Sequence, residues 1–461
     1  MNNNIKNNNN HNNIKFSYYS LGCKVNLYES EAISNELEDN GFIITDFNSI
    51  CDCYIINTCS VTLTGDAKSR KIIREAIKRN DDALFVVMGC YAELIVEDII
   101  NIFNEYNRIN NKNISCIITG TTNRNKLGKA IINYFDNNNS NRDEYKPMIL
   151  HEDALLKESY EELKVKRFNE KTRGFVKIQD GCDNYCAYCT IPYARGHNRS
   201  RDINECVDEI KRLTISGMKE IVLTGINTGA YGLEKGLTLV DLLKEVVKIE
   251  GLGRIRISSI EQTEVSEELI KFMYEHKNHF CLHFHMPLQG GSDNTLKRMK
   301  RKYDIKGYLD KVNLIRLYFP DINITSDILT GFSGESNEDF EESLKLIDSI
   351  NFGEIHVFPY SRRPRTVAWE FKNQVNDIVK KYRVKMLLDL NNKKALEYRQ
   401  RFEGKVLEVI VERCKNGYCY GHSSNYIEIK FKGDKKSNDL VMVRMTKALY
   451  PESIGELIWN L

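Results

Sequence analysis

The chain has 461 residues, 28% of them charged, with 66 Lys and Arg against 64 Asp and Glu for a formal net charge of +2. That length implies two or three domains, and the near-neutral balance excludes a protein that binds nucleic acid by bulk charge, so any RNA affinity must come from local patches. The 13 cysteines are too sparse for a disulfide scaffold and suit a reducing, cytoplasmic setting, and no apolar run reaches the roughly 18 residues a membrane span needs.

The first residues are asparagine-rich without an apolar core, which excludes a signal peptide and predicts a disordered tail over residues 1–15. Residues 16–20, 54–56 and 84–88 read as strands, and helical patterns cover 28–40, closed by Gly41, and 67–79. Alternating strands and helices over residues 16–136 imply a parallel sheet. A cysteine follows each strand: Cys23, Cys59 and Cys90. If adjacent strands are parallel, all three thiols emerge at one edge and can share a metal cluster. The plainer alternative is three isolated buried cysteines; their joint placement favours ligation.

Residues 137–171 read as a linker carrying one exposed helix over 154–165. The next region, 172–400, supplies six strand candidates at 175–179, 220–225, 254–259, 282–286, 323–329 and 355–358, with amphipathic helices such as 207–216 and 338–350 between them. Six strand–helix units form an incomplete (β/α)6 barrel whose open side admits a macromolecule. The run Cys182-Asp183-Asn184-Tyr185-Cys186-Ala187-Tyr188-Cys189 begins where the first of these strands ends. Ligands gather at the carboxyl ends of parallel strands. A four-iron cluster takes four ligands, usually thiolates, so three local cysteines leave one iron open. Zinc ribbons use two separated CxxC pairs, and no second pair lies in reach.

His283 and His285 alternate with apolar neighbours and share one strand face. A metal reading is natural for paired histidines, but no third ligand is evident, and a pocket-lining role is expected. Cys51, Cys53, Cys116, Cys206, Cys281, Cys414 and Cys419 lack cluster spacing and are expected to pack. In residues 401–461, short strands at 405–412, 418–422, 426–431 and 440–444 suit a small antiparallel barrel. Lys430, Lys432, Lys435 and Lys436 there can hold phosphates, and Tyr418 and Tyr426 can stack bases. Further basic segments lie at 195–201 and 297–302, open to an RNA-holding role or to simple solvation, and Arg362, Arg363 and Arg365, which follow the last barrel strand, can alter how RNA is held.

The CxxxCxxC run and its flanks resemble the radical S-adenosylmethionine (SAM) superfamily. With a second cysteine triplet upstream, the chain from Phe16 to Leu461 resembles the methylthiotransferase branch. Leu21-Gly22-Cys23-Lys24-Val25-Asn26, Asn57-Thr58-Cys59-Ser60 and Asp66-Ala67-Lys68-Ser69-Arg70 look most like the members that act on threonylcarbamoyladenosine in tRNA. The resemblance implies two 4Fe-4S clusters, one on Cys23, Cys59 and Cys90 and a catalytic one on Cys182, Cys186 and Cys189. It implies SAM beside Tyr188, Gly225, Asn227, Ser259, Glu261, Gln289 and Asp327. It further implies methylthiolation of C2 of N6-threonylcarbamoyladenosine next to the anticodon: one SAM supplies the methyl group and a second the radical. The small barrel resembles the TRAM RNA-binding domain, with the tRNA anticodon stem-loop as partner, an electron donor such as flavodoxin or ferredoxin, and a sulfur source that stays open. Serine at position 333 and glutamine at 262 depart from the usual prolines, which loosens turns without removing a ligand. Alternative readings are a relative acting on isopentenyladenosine tRNA or a ribosomal-protein side chain, and a non-enzymatic RNA-binding or cluster-carrier protein.

Overall fold

Runs such as Leu84–Gly89, buried along their whole length, are what a strand covered on both faces requires. They assemble, in a computed structural model describing residues 11–137, 147–168 and 172–460, into two compact units: Met1–Lys166 with Thr190–His197, and Arg167–Cys189 with Asn198–Leu461.

The first unit is built on a parallel sheet of β1 (Lys15–Ser20), β2 (Ile43–Ile44), β3 (Cys53–Thr58), β4 (Leu84–Gly89), β5 (Cys116–Ile118) and β6 (Met148–Ile149), in the order β2-β1-β3-β4-β5-β6. Helices α1 (Lys24–Asp39), α2 (Leu63–Arg79), α3 (Cys90–Leu94), α4 (Val96–Asn110), α5 (Leu127–Asn137) and α6 (Ile191–Arg195) belong to the same unit. Alternation along β3 feeds two cores. Tyr54 and Ile56 pack with Ile73, Phe85 and Phe103 on one face, while Cys53 and Ile55 pack with Ile33, Leu37, Val86 and Leu127 on the other.

Two expectations change here. Residues 1–10 of the predicted tail lie outside the described residues, but His11 is already buried, stacked on Phe42 with centroids 4.7 Å apart and bonded to Asp136 at 2.9 Å. The predicted helix over 154–165 is absent: only Ala154–Leu156 makes a 3-10 turn, and Ala154, Leu163 and Val165 are buried rather than exposed. The segment is held by partners outside itself. Tyr28 Oη donates to the Leu163 carbonyl at 2.7 Å, the Ala154 N–H to Glu93 at 3.1 Å, and Asn125 N–H to Glu161 at 2.7 Å. Residues 138–146 and 169–171 of the predicted linker lie outside the described residues.

In the second unit, β7 (Gly174–Lys177) is followed by a two-stranded ribbon of β8 (Gln179–Asp180) and β9 (Arg199–Ser200). Then come β10 (Glu220–Thr224), β11 (Arg254–Ile257), β12 (His283–His285), β13 (Asn323–Thr330) and β14 (Glu354–Pro359). The sheets β7-β10-β11 and β12-β13-β14 are parallel, and the bridges Ile255↔Phe280 and Ser259↔His285 join them. The six predicted strands thus form one open, partial barrel. Helices α7 (Ile203–Ile215), α8 (Leu239–Val246), α9 (Glu267–Glu275), α10 (Asp293–Arg298), α11 (Ile305–Tyr318) and α12 (Asn337–Ile350) alternate with the strands. Side-chain caps open several of them; Asp202 accepts from the N–H groups of Asn204 and Glu205 and starts α7 ahead of its periodic apolar stripe.

Helix α13 (Asp377–Gln400) leads into a closed small barrel of β15 (Val406–Lys415), β16 (Tyr418–Ser423), β17 (Glu428–Lys432), β18 (Leu440–Lys447) and β19 (Ser453–Asn460), ordered β15-β16-β17-β19-β18. The fifth strand, β19, was not among the predicted four, and it runs parallel to β17 while the other pairs are antiparallel. Closing the barrel needs it, because β17 and β18 otherwise stay as open edges. Cys414 and Cys419, expected to be packing residues, sit opposite one another across β15 and β16 and form a disulfide.

The small barrel covers the amino ends of β10 to β12. Glu220 accepts from Arg254 and Arg256 at 2.7 Å each and from Arg173 at 2.9 Å. Arg254 also reaches Glu408 at 2.9 Å, and Arg173 reaches Glu412 at 2.6 Å. Tyr426, expected to stack bases, instead stacks on His283 at 4.8 Å and lies under Arg256 at 4.7 Å, so its ring is already occupied. Among the described residues no helix is long and apolar enough to cross a membrane.

Candidate functional site

The first candidate site lies at the carboxyl edge of β1, β3 and β4, which are neighbours in the sheet. Cys23 caps α1 just past β1, Cys59 follows β3, and Cys90 opens α3 directly after β4. Two glycines make the close approach possible. Gly22 has φ +92°, and a Cβ there would stand 2.8 Å from the Cys59 sulfur; Gly89 has φ +98°, and its Cβ would stand 2.4 Å from Asn57 Oδ1. Asn26 ties the turns together, its Nδ2 donating to the carbonyls of Leu21 at 2.7 Å and Thr58 at 3.0 Å. Asn57 answers by donating to the Asn26 carbonyl at 2.8 Å.

Behind the thiols sits a buried ionic cluster that sequence reasoning missed. Arg195 donates from Nε to the Cys90 sulfur at 3.4 Å, from Nη1 to Glu29 at 2.9 Å, and from Nη2 to Asn26 at 2.7 Å. Arg124 reaches the same Glu29 and, at 3.3 Å, Glu161. Burial pushes the Cys90 thiol up to about 12 against the pull of Arg195, and raises Cys59 as well, with the neighbouring cysteines adding to both. Thiolates in such a place need a metal's positive charge.

The second site is the loop after β7 and β8. Burial pushes Cys182 up to about 12. Arg301 donates from Nη1 to the Cys186 sulfur at 3.1 Å and to Tyr188 Oη at 3.4 Å, and its other nitrogen pairs with Glu261. The segments at 297–302 and 195–201 were open to RNA holding or solvation; Arg195, Arg199 and Arg201 fit neither, since all three are buried and Arg201 is paired with Glu209 at 2.9 Å, and the Arg301 guanidinium is engaged by Cys186 and Glu261. Arg362 and Arg363 are likewise engaged by the protein, Arg362 on the Trp369 carbonyl at 2.7 Å and Arg363 by burial.

The expected SAM residues gather at successive strand ends. Tyr188 meets Phe332 edge-on at 6.2 Å. Gly225 leaves room for Gln179, whose Oε1 would be 2.8 Å from a Cβ there and which accepts from the Asn227 N–H at 2.8 Å. Asn227 in turn donates to Glu264 at 2.7 Å, a carboxyl that burial raises to about 7. Ser259 bridges to His285, and Gln289, at φ +65°, donates to the Asp327 carbonyl at 2.8 Å. Gln179 and Glu264 were not singled out in the sequence; Gln179 lies in β8 and Glu264 ends a 3-10 turn, Gln262–Glu264, after β11, places that carry no local signal of a site.

The donor chemistry fits iron–sulfur clusters better than single ions. Among the described residues, the three-member His, Cys, Asp or Glu group whose ligand atoms all lie within 4.8 Å is His285, Asp327 and His356. Neither cysteine triplet is that tight, whereas thiolates on one tetrahedral ion approach to about 3.8 Å. A multi-iron core spreads its thiolates further, and the Gly22 cradle leaves the Cys59 sulfur room to reach it. His285 does have partners after all, from strands its own sequence neighbourhood does not show. Cys51, Cys53, Cys116, Cys206 and Cys281 are buried and unbridged.

A family model of the radical SAM superfamily matches residues 176–347, and one of the uncharacterized protein family UPF0004 matches residues 15–110. The threonylcarbamoyladenosine tRNA methylthiotransferase MtaB of Bacillus subtilis is 39% identical over 96% of this chain and 96% of its own length. That of Aquifex aeolicus is 35% identical over 93% and 100%. A tRNA-2-methylthio-N(6)-dimethylallyladenosine synthase of Thermoanaerobacter sp. is 33% identical over 97% and 93%. The solved radical SAM methyltransferase TsrM of Kitasatospora setae shares the fold at TM-score 0.54 and 15% identity, covering 88% of this chain and 80% of that one.

Proposed function

The chain belongs to the threonylcarbamoyladenosine tRNA methylthiotransferase family of radical SAM enzymes, and on that premise we propose that it adds a methylthio group to C2 of N6-threonylcarbamoyladenosine beside the tRNA anticodon. The observation that carries this reading is the second thiol triplet, Cys23, Cys59 and Cys90, at the ends of three adjacent parallel strands. Enzymes that only cleave SAM need one such triplet. Cys23, Cys59 and Cys90 would hold one 4Fe-4S cluster, and Cys182, Cys186 and Cys189 the other. When bound, these clusters and SAM supply one-electron carbon–sulfur cleavage and the sulfur and methyl that replace an unreactive aryl hydrogen.

The protein's own residues orient and shield that chemistry. Tyr188 would hold the adenine of SAM, and Gly225, Asn227, Ser259, Glu261, Gln289 and Asp327 would hold the rest of it. Arg301 would balance thiolate charge at Cys186. For RNA, the groups that line surface hollows count. Lys297 and Lys302 border a hollow of about 860 Å³, and Arg413, Lys415, Tyr418, Tyr420 and Lys430 border one of about 540 Å³ on the small barrel. Such basic and aromatic groups suit phosphates and unstacked bases. Reducing equivalents come from a small donor such as flavodoxin or ferredoxin, in the cytoplasm where tRNA is modified.

Mass analysis of tRNA nucleosides from a strain lacking the protein tests the reading. Loss of the methylthio form of threonylcarbamoyladenosine is expected; loss instead of the dimethylallyl form would move the assignment to the relatives that are 33% identical.

A further inference from the structure

The lumen of the partial barrel carries a polar cluster around His285 and His356, two residues that neither cysteine site uses, with Asp327, one of the expected SAM residues, at its border. On β12, β13 and β14 alternate residues share a face: His283 and His285, then Thr325 and Asp327, then His356 and Phe358. His285 Nδ1 lies 3.0 Å from Thr325 Oγ1, which sets the ring so that Nε2 approaches Asp327 at 3.4 Å. His356 stands in register with Asp327 on the neighbouring strand, its ring centroid 5.8 Å from that of His285. Phe358, next up the same face of the edge strand β14, is 45% exposed. The cluster shares Asp327 with the expected SAM residues and meets two more of them through the Ser259↔His285 bridge and the Gln289 N–H on the Asp327 carbonyl.

We propose that this cluster is the pocket that reads the polar N6 substituent of the substrate nucleoside. Phe358 stacks on the adenine from the open edge of the barrel. His356 donates a ring N–H to the carboxylate of the threonylcarbamoyl group. Asp327, steadied by His285, accepts from the substituent's hydroxyl or ureido N–H. An apolar dimethylallyl group in the same place leaves these polar groups unpaired, which is how a hydrogen-bonding site rejects an analogue that lacks the bond. Two imidazoles and a carboxylate also make a donor set for a divalent ion, but the exposed aromatic ring on the same face favours a nucleoside. The inference rests on the proposed function and adds where the substituent is held.

The test measures affinity of the holoenzyme for anticodon stem-loop RNAs carrying threonylcarbamoyl-, dimethylallyl- or unmodified adenosine. His356→Leu, at an exposed edge position, is expected to cut the preference for the threonylcarbamoyl RNA about tenfold or more, and His285→Asn to cut it less. Phe358→Ala is expected to weaken all three RNAs by roughly tenfold. A preference unchanged in both histidine variants overturns the inference, as does equal weakening of all RNAs by His356→Leu. Loss of the wild-type preference on dialysis against a chelator that leaves the iron content intact assigns the cluster to an ion and overturns it too. A wild-type enzyme with no preference for the threonylcarbamoyl RNA instead strikes the functional reading beneath it.

Discussion

Arg195 aims its Nε at the Cys90 sulfur from 3.4 Å, with its remaining donors spent on Glu29 and Asn26. An N–H directed at a cluster thiolate favours the more negative, reduced state and raises the potential. Arg195→Leu is therefore expected to move the midpoint of the N-terminal cluster to lower potential, and Arg195→Lys to recover part of the shift. A redox titration followed by electron paramagnetic resonance reads this directly, and an unchanged midpoint would mean the contact is purely structural.

Gly22 faces Cys59 so closely that any side chain collides with the sulfur, and its φ of +92° is strained for other residues. Gly22→Ala is expected to empty the N-terminal site alone, taking anaerobic iron content from about eight to about four atoms per chain. Cys59→Ala should match it, while SAM cleavage to deoxyadenosine persists in both. Iron loss from both sites together would contradict independent clusters.

Glu220 has no exposed atoms to spare and holds three arginines. Burial alone would raise its carboxyl, but Arg256, Arg254 and Arg173 outweigh that and hold it far below the usual carboxylate range. Its folded pKa is depressed, so its contribution is present above the unfolded value of 4.5 and fades as pH falls below it. Glu220→Gln leaves buried guanidinium charge uncompensated and is expected to cost about 3–5 kcal/mol, read as a lower denaturant midpoint at neutral pH.

Glu264 runs the other way. Burial raises its carboxyl from 4.5 to about 7, although Asn227 donates to it. The folded protein keeps a proton that the unfolded chain releases, so this contribution is full below pH 4.5 and is lost as pH rises through 7. Glu264→Gln is expected to flatten the decline in melting temperature between about pH 5 and about pH 8. A wild-type slope surviving in the variant would place the titration on another group.

The strand-then-cysteine pattern at Cys23, Cys59, Cys90 and Cys182 was legible because apolar alternation and turn residues report the backbone locally. The six barrel strands were legible for the same reason. Periodicity was silent, however, about residues 154–165, whose helix-like composition is overruled by tertiary partners, and about β19, needed only because two edges must close.

By itself the sequence determined which cysteines follow strand ends and the order of strands and helices that present them. Only the tertiary structure decided that Arg195 and Arg301 serve cysteines rather than RNA, that Tyr426 caps the barrel rather than stacking a base, and that Asp327 and His356 join His285. Each of those relations depends on lateral register between strands far apart in sequence, and no local pattern encodes which residue will stand opposite.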